Sequence, residues 1–323
     1  MATGPLPLRL LRNVFELAAS EDLRSALTLV RISRLTRRWY QVGRIDPILF
    51  SSISLSSTRT TLAFIHTIES SLLRPPRFFT AHVKSLSILF DMLPSHASRI
   101  VAICSRIDAL TTWFLPTPTG SPISPFSLAQ ALGRSIRPRR ISVWHGAIHA
   151  HPADPWPTRG ALFTRLTHLT ATNVWEDWQS WRWGDLPSTL QYVSLDLTFK
   201  RRSAVPTGGR MATTVHRVLA ECPGLQVLAL RDGGAGLSGS SGTGHGRRSD
   251  GGPPASVRIL LVDALRTLGW LDPRIVFFSL LEPFRLRGAH FQREDRMWTI
   301  MEDVVRRRLN GTGPHTQVVL DMA

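Results

Sequence analysis

The sequence contains very little cysteine and no long apolar run. Two cysteines, Cys104 and Cys222, among 323 residues are too few for a disulfide framework and are typical of a reducing compartment. The richest apolar run, Ile275–Leu281, is much shorter than the roughly 18 residues that a membrane helix needs. Arg9 and Arg12 interrupt any signal-peptide core near the N-terminus. We therefore expect a soluble protein of the cytoplasm or nucleus with no membrane partner.

Acidic side chains are scarce relative to basic ones. The 23 Asp and Glu residues face 39 Lys and Arg residues, mostly arginine, which gives a formal net charge of +16. Such an excess favours acidic partners, including nucleic acid. The arginine clusters lie far apart in the sequence, however, and do not alternate with aromatic residues as in a single-strand binding platform. A general bias toward arginine produces the same composition, so nucleic-acid binding is the weaker alternative.

The sequence also lacks a recognisable catalytic or metal-binding motif. No Cys–His, Ser–His–Asp or paired-carboxylate arrangement stands out from the background. His145, His149 and His151 lie near Asp154, but their spacing matches no structural zinc pattern and no cysteine accompanies them. We therefore predict a binding protein without enzymatic activity, metal or cofactor.

The most specific stretch of the chain is its first 55 residues. Leu6-Pro7 begins a helix in which Leu8, Leu11 and Phe15 follow a helical period. Two further short helices are predicted up to Tyr40. Three short helices cannot bury enough apolar surface to be stable alone. Residues 1–55 are therefore predicted to be either a helical cap on the rest of the chain or a module that docks on another protein.

Four segments of this stretch resemble an F-box, in the form found in the F-box and leucine-rich-repeat proteins expanded in basidiomycete fungi. The segments are Leu6-Pro7 with Leu10-Leu11, Val14-Phe15, Ile32-Ser33-Arg34 with Arg37-Arg38-Trp39, and Asp46-Pro47-Ile48-Leu49-Phe50. The resemblance implies an adaptor that links a protein substrate to a cullin-type (SCF) E3 ubiquitin ligase through a Skp-type linker. The residues implied in linker binding are Leu6, Pro7, Leu8, Leu11, Val14, Phe15 and Ile32.

Three features depart from the F-box pattern. Arg9 replaces the usual acidic residue, Thr36 stands where many F-boxes have an aromatic residue, and Tyr40–Ile45 are extra residues after Trp39. The alternative is a leucine-rich-repeat interaction scaffold with a degenerate F-box and no role in a ligase.

Behind this module, a short apolar unit recurs. The pattern Leu-x-x-Leu-x-Leu, with apolar substitutes, begins at residues 83, 107, 138, 166, 190 and 225, at steps of 24, 31, 28, 24 and 35 residues. These steps lie in and just above the leucine-rich-repeat range, where each unit supplies one strand and a return helix or loop. We therefore predict an α/β fold in which residues 56–230 form an irregular leucine-rich-repeat solenoid of parallel strands. An ordinary α/β domain with a few parallel strands is the alternative.

The rest of the chain is predicted in three parts. Residues 231–254, rich in Gly and Ser, form a disordered insert. Residues 255–323 then supply two last strands, Val257–Val262 and Ile275–Leu280. A helix over Arg293–Leu309 caps the open end of the repeats.

Three tryptophans at steps of three residues stand out within the repeats. Trp175, Trp178 and Trp181 fall on one side of a helical turn, and Arg182 follows them. They form either an apolar core stripe or a recognition patch, because Trp and Arg are favoured at binding hot spots. We take these four residues as the candidate substrate-binding site.

Overall fold

We describe the protein from a computed structural model. It describes residues 50–70, 77–88, 93–112, 136–144, 163–172, 175, 179, 181–197, 207–232, 257–279 and 290–313. The predicted N-terminal helices, with all the residues implied in linker binding, lie outside these ranges. Trp178, the histidine-rich segment and nearly all of the Gly/Ser-rich insert also lie outside them.

The described residues form an α/β structure with eight strands and six α-helices. The strands are β1 Ser52–Leu55, β2 Ser85–Ile88, β3 Ala109–Thr112, β4 Arg140–Trp144, β5 His168–Thr172, β6 Tyr192–Asp196, β7 Val227–Asp232 and β8 Ile275–Ser279. The helices are α1 Thr58–Glu69, α2 Phe78–His82, α3 Pro94–Ile103, α4 Gly208–Glu221, α5 Val257–Thr267 and α6 His290–Leu309. One turn of 3-10 helix spans Trp183–Asp185.

The strands of the described ranges form one open parallel sheet in which spatial order equals chain order, from β1 to β8. A repeated backbone contact sets their register. The carbonyl of the residue at position 2 of one Leu-x-x-Leu-x-Leu unit accepts hydrogen bonds from the N–H groups at positions 2 and 3 of the next unit, at 2.7–3.1 Å. We call these position-2 residues the register row. They are Ser51, Lys84, Asp108, Arg139, Thr167, Gln191 and Gln226.

The register gives the sheet an apolar inner face. Positions 4 and 6 of successive units lie in line across the strands, as Leu86, Leu110 and Ile141 do. Leu86, Leu110 and Ile141 are buried in one continuous core with apolar residues from α1 to α5. Position 1 is also buried in the units that start at residues 83, 107, 166, 190 and 225. The apolar spacing read from the sequence therefore corresponds to one side of the sheet.

The helices on the inner face follow local sequence signals. Ser57 caps α1 and forms a capping box with Thr60. Pro94 occupies the first turn of α3, where its missing N–H costs nothing. Cys104 and Cys222 follow α3 and α4 and are both buried. Burial raises the pKa of the Cys104 thiol to about 12 and that of Cys222 to about 11.

The last helix packs on the opposite, outer face of the sheet. Met297, Met301 and Val305 recur every four residues and form a stripe on α6 with Trp298. This stripe contacts outer-face residues of the last three strands, namely Tyr192, Val227, Ala229, Val276 and Phe278. The helix was expected to cap the open end of the repeats; it packs on the last strands, and its apolar stripe lies across their outer face.

Arg308 of α6 closes the free edge of β8. Its Nη1 donates to the carbonyl of Ile275 at 2.5 Å and to that of Pro273 at 3.4 Å, and the residue is 3% exposed. The carbonyl of Arg274, which lies between them in the chain, instead accepts a hydrogen bond from the N–H group of Leu228 in β7. The two carbonyls that Arg308 contacts are therefore those that point away from the sheet, toward its edge.

Most of the predicted elements are confirmed, and one is wrong. Strands begin within two residues of every position predicted for the six units, and the strand after Asp272-Pro273 is present as β8. Val257–Val262 was predicted as a strand but belongs to α5, in which Leu261 and Leu265 are buried. Short apolar runs fit a strand or a helix equally well, and here the apolar spacing of four continues beyond the run. Across the described ranges, no helix combines the length and apolarity required to cross a lipid bilayer.

Two adjacent glycines at the start of α4 provide a test of the packing between α4 and α5. A Cβ added at Gly208 would lie 2.5 Å from the carbonyl oxygen of Leu260, whereas one added at Gly209 would meet nothing within 4 Å. We expect Gly208→Ala to lower the free energy of unfolding by about 1–3 kcal/mol through overpacking. Gly209→Ala should be neutral or stabilising by up to about 1 kcal/mol. Urea denaturation measures both, and equal effects would contradict this close approach of the two helices.

Candidate binding surface

The outer face carries a line of hydroxyl groups. Position 5 is Ser or Thr in the first six strands, and the line ends where α6 packs on Ala229 and Val276. The parallel register sets these side chains in adjacent strands, about 4.8 Å apart. The members of this hydroxyl line are Ser54, Ser87, Thr111, Ser142, Thr170 and Ser194.

Some hydroxyls of this face have no hydrogen-bond partner. The Oγ atoms of Ser85 and Ser142 and the Oγ1 atom of Thr111 are buried, and none has a partner within the described part of the chain. A buried hydroxyl left unsatisfied costs about 1–3 kcal/mol, and each can donate and accept. These three groups are therefore closed to solvent and form part of the buried polar layer of the outer face.

Position 3 of the outer face varies and carries larger side chains toward α6. His168 of β5 stacks on Tyr192 of β6, with ring centroids 4.2 Å apart and planes 16° apart. Trp298 of α6 contacts both rings, at centroid distances of 5.6 Å and 5.5 Å. Arg140 precedes His168 in the row. The three rings pack against each other and form a wall beside the hydroxyl line.

Hydrogen bonds and burial determine the protonation state of His168 in this wall. The Thr167 hydroxyl donates to the carbonyl of Arg139 at 3.0 Å and lies 2.8 Å from His168 Nδ1. Because the Thr167 hydroxyl proton is already donated to Arg139, the hydroxyl oxygen of Thr167 accepts a hydrogen bond from Nδ1–H of His168. Burial, helped by the charges of Arg140 and Arg139, lowers the pKa of His168 to about 3. The imidazole is therefore neutral at physiological pH.

The surroundings of Tyr192 also determine its protonation state. Its hydroxyl donates to Oε1 of Gln226 at 3.0 Å. Burial, together with the nearby carboxylate of Glu302, raises the pKa of Tyr192 to about 12. The phenol therefore remains protonated and acts as a fixed donor at the base of α6.

An ion pair lies at the other end of the strands. Arg231 of β7 contacts the carboxylate of Asp196 of β6, and both side chains are largely buried. Burial raises the pKa of Asp196, while the charge and hydrogen bond of Arg231 act against that rise. The pair holds two charges beneath the surface, so it orders β6 and β7 rather than offering a free charge to a ligand.

The tryptophan segment belongs to the inner core. Trp175 and Trp181 are buried, and Trp181 lies 4.9 Å from the ring of Trp183. Arg217 of α4 contacts the Gln179 carbonyl, and the Gly184 N–H donates to a Glu221 carboxylate oxygen at 3.0 Å. Of the two interpretations of the tryptophan segment, an apolar core stripe is therefore the one that fits Trp175 and Trp181. Arg182 is exposed, so of the described members of the predicted patch it alone can contact a partner directly.

The structure does not bring Trp175 and Trp181 together with the hydroxyl line, because these two side chains lie in the core on the opposite side of the sheet. The sequence carried a signal for the hydroxyl line that the apolar spacing hides: Ser or Thr recurs at position 5 of successive units. In the ranges described, no three His, Cys, Asp or Glu side chains are grouped so that they could hold a metal ion.

The neutral His168 predicts an acid-sensitive stability. Because its pKa in the fold, about 3, lies below the ordinary value of 6.5, its contribution is complete above pH 6.5 and is lost as the pH falls toward 3. We expect His168→Phe, which keeps the stacked ring, to reduce the loss of unfolding free energy between about pH 7 and 4.5, by at most roughly 2.7 kcal/mol.

The matched control is His66→Gln, which removes an exposed histidine of α1 away from the sheet. It should leave the loss of stability between the two pH values as in the wild type. Urea unfolding at each pH measures the difference. An unchanged pH dependence in His168→Phe would show that the imidazole is not buried in its neutral form.

Comparison with known proteins adds no family to this description. No protein-family model matches the chain, and no curated protein matches it.

Proposed function

We propose that this chain is a non-enzymatic adaptor that presents a protein substrate to a cullin-type ubiquitin ligase. Residues 1–55 dock on the Skp-type linker, and the following units form an irregular leucine-rich-repeat solenoid that selects the substrate. The linker contacts in this proposal are Leu6, Pro7, Leu8, Leu11, Val14, Phe15 and Ile32.

The observation that carries the repeat part of the proposal is the register row. Six successive carbonyls, from Ser51 to Gln191, make the same pair of hydrogen bonds to the next unit. The spacing of these residues follows the irregular steps of the apolar units in the sequence. Units that each supply one strand to a sheet in chain order are typical of repeat proteins.

The rigid parallel sheet supports a binding role for the repeats. The position-5 hydroxyls from Ser87 to Ser194 are buried, so a substrate contacts exposed side chains outside the hydroxyl line, such as Arg182. The mechanism that follows is one of proximity: an adaptor raises the local concentration of its substrate near the ubiquitin-loaded enzyme. Such a mechanism requires two separate surfaces, one at the N-terminal module and one on the repeats.

The linker contact is testable with the full chain. We expect the double change Leu6→Ala and Pro7→Ala to weaken binding to a purified Skp-type linker at least tenfold, since two anchor residues of the docking helix are lost. Biolayer interferometry with immobilised linker measures the affinity. Leu62→Ala, which removes an exposed leucine of α1, is the matched control and should bind as the wild type does.

A wild-type chain that is folded by circular dichroism yet does not bind the linker would refute the ligase role. That result would favour the scaffold with a degenerate F-box. Equal binding by wild type and double variant would instead refute the assigned contacts.

A further inference from the structure

Basic side chains gather along the edge at which β2 to β5 begin. Two positions of the repeating unit supply them: the residue immediately before position 1 and the register row at position 2. We call this group the basic edge. Its members, all exposed, are Lys84, Arg106, Arg137, Arg139 and Arg165.

The parallel register, and not the sequence, brings these residues together. Arg106, Arg137 and Arg165 are 31 and 28 residues apart in the chain, yet each directly precedes position 1 of its unit. Hydrogen bonds of 2.7–2.8 Å join the backbones of Lys84, Asp108, Arg139 and Thr167 in order. With about 4.8 Å between strands, the basic edge offers a cation at each strand across a span of about 14 Å.

The positive charge is confined to this part of the edge. In the units of β6 and β7, the corresponding positions are Thr189, Gln191, Gly224 and Gln226. Along the described residues of the edge between β2 and β5, Asp108 is the acidic side chain against five basic ones. Arg140, at position 3 of the β4 unit, adds a half-buried sixth cation beside Arg139.

We propose that the basic edge binds an extended acidic segment of a protein partner. The segment crosses the beginnings of β2 to β5 and sets its carboxylates against Lys84, Arg139 and Arg165. A span of about 14 Å corresponds to four or five extended residues. This inference rests on the proposed function and deepens it, because it assigns the substrate a chemical class and places its contact outside the hydroxyl line.

Two observations favour a protein segment over nucleic acid. The neighbouring rings of His168, Tyr192 and Trp298 pack against each other, so their faces are not open for base stacking. Asp108 stands within the basic edge, where it repels a continuous phosphate backbone but can accept from a peptide N–H or a basic side chain. The amides of Gln191 and Gln226 continue the row with groups that suit a peptide backbone.

The experiment uses the full chain and three labelled probes. The first is a Glu-rich peptide of about twelve residues, long enough to cross the basic edge. The second is the same peptide with Gln in place of Glu, and the third is an oligothymidine of equal length. Fluorescence anisotropy at low and at physiological salt measures the affinity of each probe.

Two triple variants change the net charge equally. Lys84→Glu, Arg139→Glu and Arg165→Glu reverse the basic edge, whereas Arg59→Glu, Arg210→Glu and Arg306→Glu reverse exposed cations on α1, α4 and α6. We expect the first variant to bind the Glu-rich peptide at least tenfold more weakly, and the second to lose no more than about twofold. The wild-type affinity should fall as salt rises, because the contacts are exposed charges.

Other outcomes overturn the proposal. No binding of the Glu-rich peptide, equal losses in the two variants, or equal binding of the Gln peptide would show that the basic edge is not a specific acidic-segment site. Tighter binding of oligothymidine would assign the edge to nucleic acid instead. Linker binding, measured separately on the same variants, reports on the adaptor role, so failure of one proposal is distinguishable from failure of the other.

Discussion

The structure depends on one backbone contact that recurs at each step of the sheet from β1 to β7. A single carbonyl per unit, such as that of Lys84 or Arg139, accepts two N–H groups from the next unit and fixes its register. A slip by one residue would turn the apolar positions outward. The continuous inner core and the alignment of the outer face therefore both follow from this contact, although the connections between strands differ in length.

Much of the fold could be predicted because the apolar spacing is local. The steps of three and two residues in Leu166, Leu169 and Ala171 identify a strand and its buried side. The run at Val257 misled because its first six residues fit either structure, and only Leu265 extends the helical row. The stripe of α6 indicated an amphipathic helix, but nothing in it specifies which face of the sheet it covers.

The binding surface was less predictable because it is assembled across strands. The three-residue spacing of the tryptophans was visible in the sequence, and burial in the core accounts for Trp175 and Trp181. The members of the hydroxyl line are 24 to 33 positions apart in the chain, and those of the basic edge also come from separate units, so both groups come together only through the register. The arginine clusters seemed dispersed for the same reason: distance along the chain says little about distance across a parallel sheet.

Arg308 occupies hydrogen-bonding groups at the edge of β8, the last strand of the described residues. An additional strand would have to pair with the carbonyls of Pro273 and Ile275, and both already accept from its guanidinium. The terminal helix thus blocks the backbone groups at the edge of β8 with which a further repeat or a second molecule would have to pair. Evolution can lengthen or shorten the connections along the chain without disturbing the sheet, but a ninth strand after β8 would first require this one side chain to leave.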